Sequence, residues 1–188
     1  MSQENVDVVR KPLRVREQSR RTLGERLAMR FPRPFAASAR LISRLPPSSR
    51  LRQAILWRAA QLALEAYNRR DLAAVVVGCH PKFEWRPGRA WVEAGLMEPI
   101  YRGLEGYRRY VAATAEVFGA EVYVKPVELI DLGDRFVILA HAPMRAQLSR
   151  VPLSEAWALV GTVRDGRVVS YQEYLGHAEA LEAVGLSE

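Results

Sequence analysis

Few side chains in this sequence combine a reactive type with a setting in which acid, base or metal chemistry is expected. His141 falls inside an apolar run, 136–142, where a neutral imidazole serves either as an acid or base or as a hydrogen-bonded structural residue. Glu173 alternates with Val169 and Tyr171, so a strand there puts all three on one face. If that face lines an apolar interior, desolvation raises the carboxyl pKa and makes proton exchange near neutral pH available; if it lines a rim, Glu173 pairs with an arginine instead. His80 and His177 fall at element ends, as surface or capping residues do, and no two histidines have the i, i+4 spacing of a helical metal site. Cys79 is the single cysteine, which excludes an intramolecular disulfide and a cysteine-based zinc site within one chain. No metal and no cofactor are predicted. Trp85, Tyr101 and Trp157, with Phe83 and Tyr171, are candidate walls for a flat or cyclic ligand, because aromatic rings supply area and Trp and Tyr add a polar handle. Plain core packing accounts for Trp157 at least as well.

These residues need elements to hold them. Leu51, Ile55, Leu62 and Ala66, flanked by Leu56, Ala59 and Ala63, repeat at helical spacing and predict a long helix over 50–69. Asp71 can cap a short apolar helix over 72–77, ended near Gly78 and Pro81. The period then changes, with Phe83 and Trp85 alternating with Glu84 and Arg86 in a first strand. A Gly- and Pro-rich loop is predicted over 87–99, then an extended piece at Ile100 and Tyr101. Gly103 opens a helix whose inner face is read as Leu104, Tyr107, Val111, Ala115 and Phe118, with Gly119 as its stop. Four strand-like runs follow, at 122–131, 135–146, 153–163 and 167–175, the last three forming an antiparallel meander. An amphipathic helix over 178–184 ends the chain. Helices early and antiparallel strands late make an α+β architecture: a curved sheet wraps the long helix, and its incomplete closure leaves a cavity.

A chain of 188 residues that is 49% hydrophobic and 26% charged has a globular balance, which excludes disorder throughout. Its net charge of +7 is unevenly spread: residues 1–60 hold 14 Lys and Arg against 4 Asp and Glu, or +10, and residues 61–188 hold 14 against 17, or −3. The basicity belongs to an N-terminal arm and says little about the rest. No apolar run approaches the roughly 20 residues that span a bilayer, and the start is polar, so neither a signal peptide nor a membrane anchor is expected and a reducing cytoplasm fits best. Residues 1–11 are expected as a short helix or a flexible lead. Thr22 and Glu25 have capping-box spacing ahead of a helix over 23–31, in which Leu23, Leu27 and Phe31 share one face. A second basic amphipathic helix, 35–45, sets Leu41, Ile42 and Leu45 opposite Arg40 and Arg44 and stops at Pro46 and Pro47. The Pro46-Pro47-Ser48-Ser49 cluster divides a basic extension, 1–47, from a main domain, 48–188. Three readings compete for residues 10–58. In the first, which we prefer, the helices fold back over the pocket or a dimer face; in the others the arm contacts anionic lipid or nucleic acid, or is mostly disordered.

The stretch Ala63-Leu64-Glu65-Ala66-Tyr67-Asn68-Arg69-Arg70-Asp71-Leu72, followed by Pro81-Lys82-Phe83-Glu84-Trp85-Arg86-Pro87, resembles the opening of SnoaL-like proteins of the nuclear transport factor 2-like superfamily. Tyr101-Arg102-Gly103-Leu104-Glu105-Gly106, Val163-Arg164-Asp165-Gly166-Arg167-Val168 and the tail from Ala178 to Leu186 continue the series in order. The resemblance covers about residues 61–188 and implies a cystatin-like cone, a small apolar or aromatic ligand, a homodimer formed through the sheet, and a bacterial source. The segment Ser2 to Arg10 also resembles the family's start, but about 50 residues then intervene, an insertion within or before the first helix. Isomerase-like members place a carboxylate base on the first strand, where this chain has Trp85; their oxyanion donors match Ala158 or Leu159, and Ala63, so that machinery is absent. The polyketide cyclase-like pattern places a carboxylate on the last strand, which implies Glu173 as acid or base and its strand face as the pocket face. Where relatives often carry an aspartate after that strand, Gly176 stands here. The expected function is small-molecule binding with an isomerase, cyclase or hydrolase step at Glu173; the alternative is a non-catalytic scaffold or accessory protein that acts through its basic arm.

Overall fold

The computed structural model describes residues 9–12, 20–119, 122–142 and 155–186. In chain order these form β1 (Val9–Pro12), α1 (Leu23–Arg30), α2 (Pro32–Ser43), α3 (Arg50–Asn68), α4 (Leu72–Val75), β2 (Cys79–Arg86), α5 (Arg89–Glu93), β3 (Tyr101–Arg102), α6 (Gly103–Phe118), β4 (Lys125–Asp131), β5 (Arg135–His141), β6 (Ala156–Arg164), β7 (Arg167–Tyr174) and α7 (His177–Glu182). Local chemistry sets several boundaries. Thr22 and Glu25 form the reciprocal capping box of α1, the Ser49 hydroxyl accepts from the Arg52 backbone to start α3, and the Asp71 carboxylate caps α4. The predicted runs beyond residue 142 and before residue 155 lie outside the described residues.

Seven strands make one curved, unclosed sheet in the order β1-β4-β5-β6-β7-β2-β3. All neighbours are antiparallel except β2 and β7, which run parallel, so the meander extends over β4 to β7. Register carries the inner face across the strands: Phe136 stands opposite Gly161, Gly161 opposite Tyr171, and Tyr171 opposite Trp85, while Ile138, Leu159 and Glu173 make the next row. Gly161 is required there, because a Cβ would lie 2.2 Å from Cζ of Phe136. These residues pack with Ala60 and Leu64 of α3 and Tyr107 and Tyr110 of α6. On the other face Val137, Leu139, Ala158 and Val160 are covered by Ala180 and Leu181 of α7.

Four expectations are corrected. Residues 9–12 are neither helix nor flexible lead: β1 pairs with β4 from Val9 opposite Asp131 to Pro12 opposite Glu128. The segment 87–99 is not all loop, because α5 turns there and buries Trp91. The inner face of α6 is centred on Gly103, Gly106, Tyr107, Tyr110, Thr114 and Phe118: Tyr107 and Phe118 of the expected stripe are buried and Val111 packs half-buried against the core, but Tyr110 and Thr114 take the place given to Leu104 and Ala115. The alternation through Val169 also fails, since a bulge separates the pairs Thr162–Ser170 and Val163–Val168, and Val168 is the residue that packs on the core.

The N-terminal helices are tied to the rest of the molecule by ion pairs, buried at Arg52 and Glu25 and exposed at Arg21. Arg52 of α3 binds Asp131 of β4 through two hydrogen bonds of 2.7 and 2.8 Å and donates to the carbonyls of Ser43 and Leu45 at the end of α2, and to that of Gly133. Glu25 pairs with Arg69, and Arg21 Nη2 donates to Asp71 at 2.8 Å, clamping α1 to the α3–α4 junction. At the β6–β7 turn Gly166 adopts φ +73° and has no room for a Cβ, because the backbone of Ala39 and Arg40 in α2 lies against it.

Candidate functional site

Two hollows adjoin inside the cone. The inner one, about 50 Å³, has room for only a few atoms and is walled by residues that include Trp85, Trp91, Tyr107, Tyr110, Trp157 and Glu173. The outer one, about 630 Å³, lies between the N-terminal helices, α3 and the sheet, with Phe35, Ile42, Leu56, Leu62 and Val168 among its lining. That volume falls in the range of small-molecule sites. Ala63, Val75, Ile138 and Tyr171 belong to both linings, so the hollows share a wall.

Glu173, at 1% exposure, is the charged-type group of the inner hollow. Its Oε1 accepts from the Tyr110 hydroxyl at 2.9 Å and from Trp157 Nε1–H, and its Oε2 accepts from the Gly88 backbone N–H at 3.1 Å. Burial pushes the carboxyl pKa up and the three hydrogen bonds pull it down; burial wins, and the group sits at about 7, so both protonation states are accessible near neutrality. Burial also holds the Tyr107, Tyr110 and Tyr171 hydroxyls well above the usual phenol range, which makes them hydrogen-bond donors at neutral pH. Cys79, on the outer lining, is pushed by burial to about 12 and stays a thiol. Trp85 Nε1–H is buried without a hydrogen-bond partner among the described residues, a donor left over beside the inner hollow.

Trp85, Trp157, Tyr171 and Glu173 thus converge, although they come from three strands. Phe83 and Tyr101 do not reach either lining: Phe83 packs edge-on to Tyr107 and Tyr171, and the Tyr101 hydroxyl accepts from the Glu98 backbone N–H. His141 is not in the apolar interior. It is exposed at the end of β5, on the face of Val137 and Leu139, with its ring 5.6 Å from that of His177, whose Nε2 lies 2.8 Å from the Ala140 carbonyl. The alternation that buries Phe136, Ile138 and Ala140 inward sends His141 outward. At the isomerase-like positions Trp85, Ala63 and Leu159 line the inner hollow and Ala158 faces the other way.

The sequence reading passed over Tyr110, Trp91 and the Gly88 N–H. Tyr110 carried a signal, since Gly103, Tyr107, Tyr110 and Thr114 repeat at helical spacing, but the competing stripe was more apolar. Among the described residues no group of three or more His, Cys, Asp or Glu is arranged to hold a metal ion.

The family model described as a SnoaL-like domain matches residues 60–171, more than half of the chain, and the chain belongs to that family. Glu173 lies two residues beyond the match. No curated protein matches the sequence. Similar solved structures include an NTF2-like protein of unknown function from Burkholderia pseudomallei, with 23% identity, TM-score 0.55, and coverage of 68% of this chain and 95% of that one. TerC, co-crystallised with polyporic acid, is 22% identical over 66% of this chain and 94% of that one, with TM-score 0.55. A Catenulispora acidiphila protein of ketosteroid isomerase-like fold, in complex with trimethylamine, is 16% identical with TM-score 0.50, covering 68% of this chain and 92% of that one. At these identities the likeness is one of fold.

Proposed function

We propose that the protein binds a small apolar, cyclic ligand in the outer hollow, with one polar end passing between the shared side chains of Ala63, Val75, Ile138 and Tyr171 into the inner hollow, where Glu173 exchanges a proton in an isomerase, cyclase or hydrolase step. The observation that carries this reading is a fully buried carboxyl, held by Tyr110, Trp157 and Gly88, in an aromatic-walled hollow that adjoins a larger apolar one; burial raises its pKa to about 7. The partnerless Trp85 N–H is suited to an acceptor on the ligand, and Tyr110, donating to Glu173, to stabilising its ionised form. TerC, of related fold, was co-crystallised with polyporic acid, which is consistent with a small-molecule ligand and assigns none.

The test begins with native mass spectrometry of the purified protein, which reports a retained ligand and the subunit count, including the homodimer expected through the sheet. With that ligand or its precursor in hand, Glu173→Gln is expected to lower turnover by two to four orders of magnitude, roughly the contribution of a positioned acid or base, while leaving the dissociation constant within a few-fold. Unchanged turnover rejects Glu173 in this role. A second reading has its own support: three donors already satisfy the carboxylate, as in a purely structural tie between β6, β7 and α6. Under it the wild-type protein and the variant retain the ligand and neither converts it.

A further inference from the structure

We infer that α1, together with the arginines around it, is a docking face for an anionic lipid surface. The helix sits the opposite way round from an ordinary amphipathic helix. Glu25 and Ala28 face the body of the molecule, while Leu23, Leu27 and Phe31, one stripe at i, i+4 spacing, are 72%, 50% and 52% exposed. A lone exposed leucine is ordinary, but a row of three on one helix marks a surface that meets something apolar. The orientation is fixed by chemistry. Rolling the stripe inward would break the Glu25–Arg69 and Arg21–Asp71 pairs and leave buried Arg69, whose Nε and Nη1 have no partner among the described residues, with only its 3.5 Å contact to Asp71.

Charge names the partner. Residues 20–58 contain ten arginines and a single acid, Glu25. Arg21 and Arg52 are paired with carboxylates. Arg20, Arg26, Arg30, Arg33, Arg40, Arg44, Arg50 and Arg58 are all exposed, and none of these eight meets a carboxylate among the described residues. By helical position Arg26 and Arg30 project on the stripe's side of α1, and the Arg30 guanidinium lies 5.8 Å from the Phe31 ring centroid. Leucine and phenylalanine at the acyl boundary with arginines at the phosphates is the arrangement of a helix lying in a membrane interface. Nucleic acid would satisfy the arginines and leave Leu23 and Leu27 in water. A second copy would cover the leucines and set arginine against arginine. The segment lies outside the matched family region, residues 60–171, so this face is an addition to the SnoaL-like cone. It stands apart from the reading of the hollows.

The full-length protein is mixed with vesicles of phosphatidylcholine alone, or of phosphatidylcholine with phosphatidylglycerol, and sedimented over a salt series. Binding is expected on the anionic vesicles only, weakening as salt rises. The Leu27→Ser, Phe31→Ser double variant and the Arg26→Glu, Arg30→Glu double variant are each expected to lose it on the order of tenfold or more. Leu23→Ser, at the most exposed position, serves as a second apolar variant should either double variant fold poorly by circular dichroism. The inference is overturned by any of four results: no sedimentation of the wild type, equal binding to neutral vesicles, apolar variants that bind as the wild type does, or a wild-type dimer in solution that the apolar variants dissociate. Duplex DNA binding that ignores the serine substitutions, without vesicle binding, also overturns it in favour of a phosphate-only surface.

Discussion

Glu173 shows how opposed effects settle at one side chain. Three donors from three segments favour its ionised form, yet complete burial raises the pKa from 4.5 to about 7. An unfolded chain ionises this group near 4.5 while the folded chain holds the proton until about 7, so between those values the folded state binds more protons and its stability falls as pH rises. The shift corresponds to about 3 kcal/mol, absent below 4.5 and fully felt above about 7. Glu25 and Asp71 act the other way. Burial pushes Glu25 up, but its hydrogen bonds from Arg69 and Thr22 leave it lowered, and the Arg21 hydrogen bond lowers Asp71; their stabilisation is present above the ordinary carboxylate range and lost as pH falls. The contribution of Glu173 is therefore read by difference: urea denaturation of wild type and Glu173→Gln across pH 4.5 to 7 should show the variant lacking the downward slope, and parallel curves would contradict it. Position 173 was legible because the polyketide cyclase-like resemblance implies a carboxylate there; alternation added only that it shares a face with Tyr171, since the bulge breaks the pattern at Val169. Its partners were not, since Tyr110, Trp157 and Gly88 reach it from α6, β6 and the loop after β2, and a hydrogen bond spanning 85 residues leaves no local pattern.

At the scale of elements, period and capping fixed nearly every helix and strand, while the choice of face depended on what lay opposite. In α6 two stripes have helical spacing, and the one carrying polar Thr114 is buried because its hydroxyl donates to the Tyr110 carbonyl, which removes the penalty the sequence would assign it. In β7 a bulge moves Val168 to the core face and breaks an alternation that is strict in the sequence. The edge strand β1 was hidden because its residues gain their order from pairing with β4. Gly161 is the element-scale test of the inner face. Substitution by alanine forces the Phe136 ring to move and should cost about 1–3 kcal/mol, seen as a lowered urea midpoint with an unchanged m-value. A neutral result would mean that the row of Phe136, Gly161 and Tyr171 is not packed as described.

For the whole molecule, the SnoaL-like cone was legible from the order of its motifs, and the way the basic extension joins it was not. Amphipathicity suggested two helices folding back over the pocket or a dimer face; α2 does turn Phe35 and Ile42 to the outer hollow, whereas α1 leaves Leu23 and Leu27 exposed and is held by ion pairs, with the end of α2 held by the Arg52 guanidinium. Arg52→Ala strands buried Asp131 and releases the Ser43 and Leu45 carbonyls, so it should destabilise by about 3–5 kcal/mol. The paired change Arg52→Met with Asp131→Leu should recover much of that loss, since no charge is then left buried. What the assembled elements enclose is the central claim, and the Glu173 carboxyl reports on it directly. A carbon-13 NMR titration of that carboxyl in the intact protein should give a midpoint near 7, as expected for a group sealed behind the sheet, α6 and the helices above it. A midpoint near 4.5 would place the side chain in water and contradict an enclosed site.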